Sequence, residues 1–173
     1  MELSEAIKGR RSIRAFKPQD VPDEAVEKLI DAARYAPSAG NIQPWALVIA
    51  KKGETKKKLA SAAFNQAFVE EAPVVIVVCA DENRSSMRYG RRGETLYCIQ
   101  DTAAATQNIL LTAYSLGLGT CWVGAFNEDE AKKALRAPDG MRPVAMIPVG
   151  YPNKTPSQRA KRPLNQIVHH EEF

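Results

Sequence analysis

The sequence predicts an α+β domain in which a central mixed β-sheet is flanked by helices. Three observations lead there. Apolar runs rich in β-branched residues recur at 45–50 (WALVIA), 73–80 (PVVIVVCA) and 143–150 (PVAMIPVG). Segments with apolar residues at helical spacing separate them, the pattern of helices covering both faces of a sheet. The length of 173 residues suits one compact domain rather than two independent cores. We therefore expect a single domain over 1–173, with 152–173 as a C-terminal extension.

The elements follow in order. Leu3 and Ile7 mark a short amphipathic start. GRRSIRAF (9–16) alternates basic and apolar residues and reads as extended. Pro22, Asp23 and Glu24 open a helix whose apolar stripe is Val26, Leu29, Ile30 and Ala33, ending before Pro37. PSAGNIQPW (37–45) is dense in turn formers and leads into the first strand, expected to be buried. A helix is predicted over 53–64, then the second buried strand at 73–80. A long helix from about Gly93 to Leu116 is apolar on much more than one stripe, which places it centrally or at a subunit interface. TCWV (120–123) reads as a short strand. Asn127 caps a helix over 127–136, whose acids come first and bases last. Pro148 in the last strand marks an edge, a bulge or a strand end. Beyond Tyr151 the chain is polar and proline-bearing, an extended tail suited to wrapping a neighbour.

Composition excludes several classes. The longest apolar run, Ala72 to Ala80, is far short of the about 20 residues of a membrane-spanning helix, and the charged start lacks the apolar core of a signal peptide. We expect no membrane partner and a cytoplasmic protein. Cys79, Cys98 and Cys121 share no short spacing, so no disulfide framework or CxxC site is expected. The two histidines, His169 and His170, are adjacent in the tail, so a histidine-rich zinc site or a Ser-His-Asp triad would have to be built from the tail and is not expected. No Rossmann fingerprint exists, because Trp122 stands where the third glycine would follow Gly119, and Ala125 stands where a Walker A motif requires lysine.

Charge is unevenly placed. The net charge is +4, yet residues 8–17 and 152–163 hold nine of the 24 bases and none of the 20 acids. Two basic segments at opposite ends could be solvated surface, could bind nucleic acid, or could meet on one compact anion such as a phosphate. Phe16 is the only aromatic in either segment, which disfavours nucleic acid.

Read together, GRRSIRAF, APSAGNIQPW, GLGTCWVGAF and KRPLNQIVH, in that order and with YCIQDTAAATQNILLTAYSLGLG between them, resemble the FMN-dependent nitroreductase family over nearly the whole chain. The resemblance implies a nitroreductase-like fold with a mainly antiparallel sheet and a tail wrapping the partner subunit. It implies FMN as cofactor at the interface of a homodimer, NAD(P)H as transient substrate, and no nucleic acid. Arg10, Ser12 and Arg14 match the residues that hold the flavin phosphate and ribityl chain, joined by Arg159 and Lys161 from the tail, while Arg11 and Arg162 face solvent. Pro37, Ser38, Ala39 and Asn41 would lie beside the flavin of the partner subunit, with Gln43 and Trp45 packing behind. Val123, Gly124 and Ala125 would bring backbone N–H groups to the flavin N5 and O4, and Gln66 would reach the pyrimidine edge. Trp122 would stack or belong to the core. The implied activity is hydride transfer from NAD(P)H, then reduction of nitro compounds, quinones or related acceptors by a ping-pong mechanism, with no catalytic side chain because the flavin carries the chemistry. Two alternatives share these anchors: a non-catalytic flavin carrier, and an oxygen-using or dehalogenating flavoenzyme of the same fold.

Overall fold

The computed structural model describes residues 1–173. Its helices are α1 (Leu3–Gly9), α2 (Asp23–Arg34), α3 (Gly53–Ala62), α4 (Ala67–Glu71), α5 (Glu82–Arg92), α6 (Cys98–Ser115) and α7 (Glu128–Leu135). Its strands are β1 (Trp45–Ala50), β2 (Val74–Asp81), β3 (Gly119–Thr120) and β4 (Met141–Gly150), in sheet order β1-β2-β4-β3. Every strand pair is antiparallel. The one parallel link is an isolated bridge from Ser12 to Thr120, which draws the amino-terminal segment alongside β3.

The period of two along the strands explains both layers of the core. On β2, Val74, Ile76 and Val78 point to one face, where they pack with Leu29 and Ala33 of α2 and Ile109 and Ala113 of α6. Val75, Val77 and Cys79 point to the other, against Leu59 of α3, Val69 of α4 and Ala131 of α7. Covering both faces is why β2 reads as an unbroken apolar run rather than an alternating one. Arg142 of β4 ties sheet to helix through two bonds of 2.8 and 2.9 Å to the Glu128 carboxylate at the start of α7.

Several expectations need correction. Strand 45–50 is half-buried, because β1 pairs only with β2 and forms a sheet edge. The stretch TCWV forms regular pairing only at Gly119–Thr120, Val123 adding an isolated bridge to Met146. β4 lies between two neighbours, yet Pro148 is tolerated there. Met146 exchanges both backbone bonds with Val123, so Pro148, two residues on, turns its donor-free nitrogen to the same side, where β3 has only two residues.

The predicted helix from Gly93 begins with a π-helical turn, Gly93–Tyr97, before α6 proper. Within α6 the buried Thr102 and Thr106 hydroxyls donate to the carbonyls of Cys98 and Thr102, at 2.7 and 2.8 Å, so these polar groups enter the core satisfied. Two helices escaped the sequence reading. α4 is too short to show a period. α5 (ENRSSMRYGRR) buries only Ser85, so it has no apolar stripe to detect; it starts because the Asp81 carboxylate accepts the Arg84 N–H at 2.9 Å. No helix is long and apolar enough to cross a membrane.

Candidate functional site

Extended backbone at 12–16 follows directly from α1. Arg11 donates from one nitrogen to the carbonyls of Lys8, Gly9 and Arg10, at 2.6, 2.9 and 2.9 Å. It closes the carboxyl end of α1 rather than facing solvent, which corrects the expectation for this residue. The chain then runs beside β3, with the Ile13 N–H donating to the Thr120 carbonyl at 2.8 Å. Gly119 is required at this crossing, since a Cβ there would lie 2.7 Å from the Ile13 side chain.

The crossing brings Ser12 and Arg14 to the root of the tail. With Ala15, Lys154 and Pro156 they line an open cleft of about 190 Å³. Arg10 lines a smaller neighbouring cavity with Thr120 and Thr155. None of Arg10, Arg14 and Lys154 takes part in an ion pair, and the buried Thr120 hydroxyl has no hydrogen-bond partner. The Arg14 guanidinium lies 5.8 Å from the Phe68 ring. Beside Phe68, Gln66 donates to the carbonyls of Ala63 at 2.9 Å and Ala125 at 3.4 Å. Ser12, Arg14, Gln66 and Ala125 therefore surround one region, with Gly124 exposed and Val123 buried behind. Trp122 is 39% exposed, so it is not a core residue.

Beneath this region burial pushes the Cys121 thiol up, against the opposing pull of Arg14, Ser12 and Arg10. Burial likewise pushes Cys79 and Cys98 up to about 11. All three cysteines are buried and free, so none offers a thiolate nucleophile near neutral pH.

The 37–43 loop forms a second constellation. Gly40, Asn41 and Gln43 all have positive φ, of 56, 55 and 53°, a region costly for Asn and more so for Gln. The loop is held by cross-links: the Ser38 hydroxyl accepts the Gln43 N–H at 3.0 Å, Asn41 accepts from the Gln43 side chain at 3.1 Å, and both Asp101 carboxylate oxygens lie 3.1–3.2 Å from the Ala39 N–H. The backbone is thus over-determined with Pro37, Ser38, Ala39 and Asn41 at the surface or half-buried.

Asp101 was missed by the sequence reading, although it is the only charged residue between Glu94 and Glu128 and thereby marked. It is 7% exposed. Burial raises its pKa, and the Ala39 N–H only partly opposes this. A raised folded-state pKa means that the folded protein holds this proton more firmly than the unfolded chain. Asp101 thus costs stability progressively as pH climbs from the ordinary aspartate range through its raised value. Wild-type stability relative to Asp101→Asn should fall across that window and level off above it, as urea unfolding at a series of pH values would show; a pH-independent difference would refute it.

The two constellations are anchored at different points along α6. The loop packs at Asp101, while the amino-terminal segment packs at Tyr114, whose ring lies against Gly9. Thirteen residues of α6 separate these points, about 20 Å at helical rise. Arg159 and Lys161 stand exposed on the tail, and the tail residue that reaches the cleft within one chain is Lys154, a member of the acid-free segment not singled out from sequence.

An antiparallel sheet layered between helices, with an unneutralised cationic cleft where its two ends meet, defines an α+β class suited to holding an anionic ligand. Comparison with known proteins makes the assignment particular. A family model described as the nitroreductase family matches residues 7–70 and 61–151, and the chain belongs to that family. A Methanothermobacter thermautotrophicus protein whose provisional name pairs NADH dehydrogenase with NAD(P)H nitroreductase is 36% identical over 163 residues, spanning 92% of this chain and 82% of that one. FMN reductase (NADPH) of Bacillus subtilis is 31% identical over 180 residues, spanning 96% of this chain and 72% of that one. Among solved structures, the NADPH:FMN oxidoreductase of Vibrio harveyi complexed with NAD+ superposes with a TM-score of 0.91 at 28% identity, covering 99% of this chain and 77% of that one.

Proposed function

We propose that this protein is an NAD(P)H-dependent FMN oxidoreductase of the nitroreductase type, acting as a cytoplasmic homodimer with a single FMN-binding domain over 1–173 and 152–173 as its extension. The observation that carries the reading is the meeting of Ser12 and Arg14 with Lys154 in a cleft whose cations have no acidic partner. Family membership and the names of relatives supply the cofactor class.

The cleft fits a phosphate ester. In the cleft Arg14 offers a fork-shaped donor, Ser12 a neutral one and Lys154 a point charge, while Arg10 stands in the neighbouring cavity as a second guanidinium for the same phosphate. Arg159 and Lys161 are assigned to the same phosphate from the tail. Gly124 and Ala125 present backbone without bulk, since a Cβ at Gly124 would meet only Trp122 at 3.6 Å, and Gln66 stands beside them. Pro37, Ser38, Ala39 and Asn41 are assigned to the flavin held mainly by the partner subunit. The loop and the amino-terminal segment pack about 20 Å apart along α6, which supports this.

FMN bound there supplies hydride acceptance and release at its N5. The protein's part would be placement: the cations would hold the phosphate, and the small residues of the 37–43 loop would border the ring, which NAD(P)H and then the acceptor would reach in turn. We assign nitro compounds, quinones and related electron-poor molecules as acceptors, reduced in a ping-pong sequence.

The purified protein should be yellow, release FMN rather than FAD on denaturation, sediment as a dimer, and give parallel double-reciprocal lines with NAD(P)H and menadione. A colourless protein, or bound flavin that neither nicotinamide reduces, would overturn the assignment.

A further inference from the structure

Four guanidinium groups, those of Arg84, Arg88, Arg91 and Arg92, lie within nine residues on α5, and none is in an ion pair. They form a third basic segment that the reading of the two chain ends did not include. A run of this kind is ordinarily a solvated face, with its side chains free in water. Here they are held. The Arg84 Nε donates to the Ile42 carbonyl at 2.6 Å, and Arg88 donates to the Gly40 carbonyl at 3.3 Å, which ties α5 to the 37–43 loop. The Arg88 guanidinium lies 5.6 Å from the Tyr89 ring, and that of Arg92 lies 5.3 Å from the Tyr97 ring with its Nε 2.9 Å from the Tyr97 hydroxyl. The two rings meet edge to face, 5.2 Å between centroids and 84° between planes. The order is guanidinium, ring, ring, guanidinium, beside the loop assigned to the flavin.

Each arginine keeps most of its five N–H donors free. Glu82 faces Arg142 and Glu94 of the turn pairs with none of these arginines, so the array is short of negative charge. Arg84 and Arg88 are about 6 Å apart along the helix, and Arg91 and Arg92 lie past a kink at Gly90. A single carboxylate on a small acceptor would engage one of these groups and leave three unpaired. A dinucleotide brings two charges on its diphosphate, and a 2′-phosphate adds about 1.5–2 more, which balances four guanidiniums. The half-buried tyrosines, each already under a guanidinium, border the place where its adenine would lie.

We propose that α5 and the turn after it form the subsite for the phosphates and adenine of the hydride donor, and that this array makes the enzyme prefer NADPH to NADH. The inference rests on the flavin reading above, which places the 37–43 loop at the flavin.

Calorimetric titration of the FMN-loaded protein with NADP+ and with NAD+ tests it. The expected result is NADP+ bound at least tenfold more tightly than NAD+, with added salt weakening NADP+ the more. Arg91→Ala and Arg92→Ala should each cost about tenfold in NADP+ affinity and bring the ratio towards one, with the flavin spectrum retained. Arg91 has no side-chain partner in the fold, so its variant separates ligand binding from folding. Equal affinities in the wild type, or a ratio that survives in Arg91→Ala/Arg92→Ala, would overturn the proposal. So would an anionic acceptor whose KM, rather than the nucleotide ratio, responds to these substitutions. A colourless protein that binds neither nucleotide would instead overturn the flavin reading itself.

Discussion

Replacing Arg14 with alanine is expected to raise the FMN dissociation constant by about tenfold to a hundredfold and leave the melting temperature of the apoprotein unchanged. The magnitude is that of one charge-assisted hydrogen bond, about 1.5–3 kcal/mol, at 1.4 kcal/mol per tenfold. The absence of a stability cost follows from the surroundings: Arg14 is exposed, has no ion pair, and touches the fold through its approach to Phe68. Arg11→Ala should do the opposite. Its guanidinium closes three carbonyls at the end of α1, so its loss should cost about 1 kcal/mol, a fall of about 2–4 °C for a domain of this size, while FMN is kept. Quenching of flavin fluorescence on binding, paired with thermal melts, measures both. Equal flavin retention by the two variants would remove the phosphate assignment from this segment.

Gly119→Ala should damage stability and cofactor binding together, although the added methyl need not touch FMN. Its Cβ would fall 2.7 Å from Ile13 Cγ1 and 2.9 Å from Ile13 Cβ. Ile13 is buried and β-branched, with restricted χ1, so it has little room to turn. Its backbone is pinned to Thr120, so the strain must move residues 12–14 as a unit. Overpacking of this kind costs about 1–3 kcal/mol, and displacement of Ser12 and Arg14 should weaken FMN by an order of magnitude or more. Gly53→Ala is the matched control. A Cβ there meets nothing within 4 Å, so alanine at the start of α3 should be neutral or stabilise by up to about 1 kcal/mol. Urea unfolding with flavin titration decides the matter, and a Gly119→Ala protein with wild-type values in both would show that the crossing is not what places the site.

Legibility differed by element for physical reasons. The strands at 45–50, 73–80 and 143–150, the helix stripe of Val26, Leu29 and Ala33, and the Asn127 cap were visible because each is set by local chemistry or by burial of a periodic face. The Asn127 side chain does accept the Glu130 N–H, at 3.1 Å. α5 was invisible because it presents no apolar face, being started by Asp81 and held by arginine contacts to a loop about 40 residues away in sequence. The π-turn at 93–97 was hidden for a related reason: Gly93 is buried directly against the Ser85 backbone, a contact made only once α5 folds back on the chain.

The sequence by itself determined the α+β class, the two-sided burial of β2, the family resemblance and the acid-free basic ends, since all of these reside in residue type and spacing. Only the tertiary structure decided that Arg11 caps a helix while Arg14 stands free, that Lys154 is the tail cation in the cleft, and that Asp101 grips the loop at Ala39. Such assignments depend on which groups meet in space across tens of residues, and neighbouring cations with the same chemistry take different parts according to the backbone they stand on.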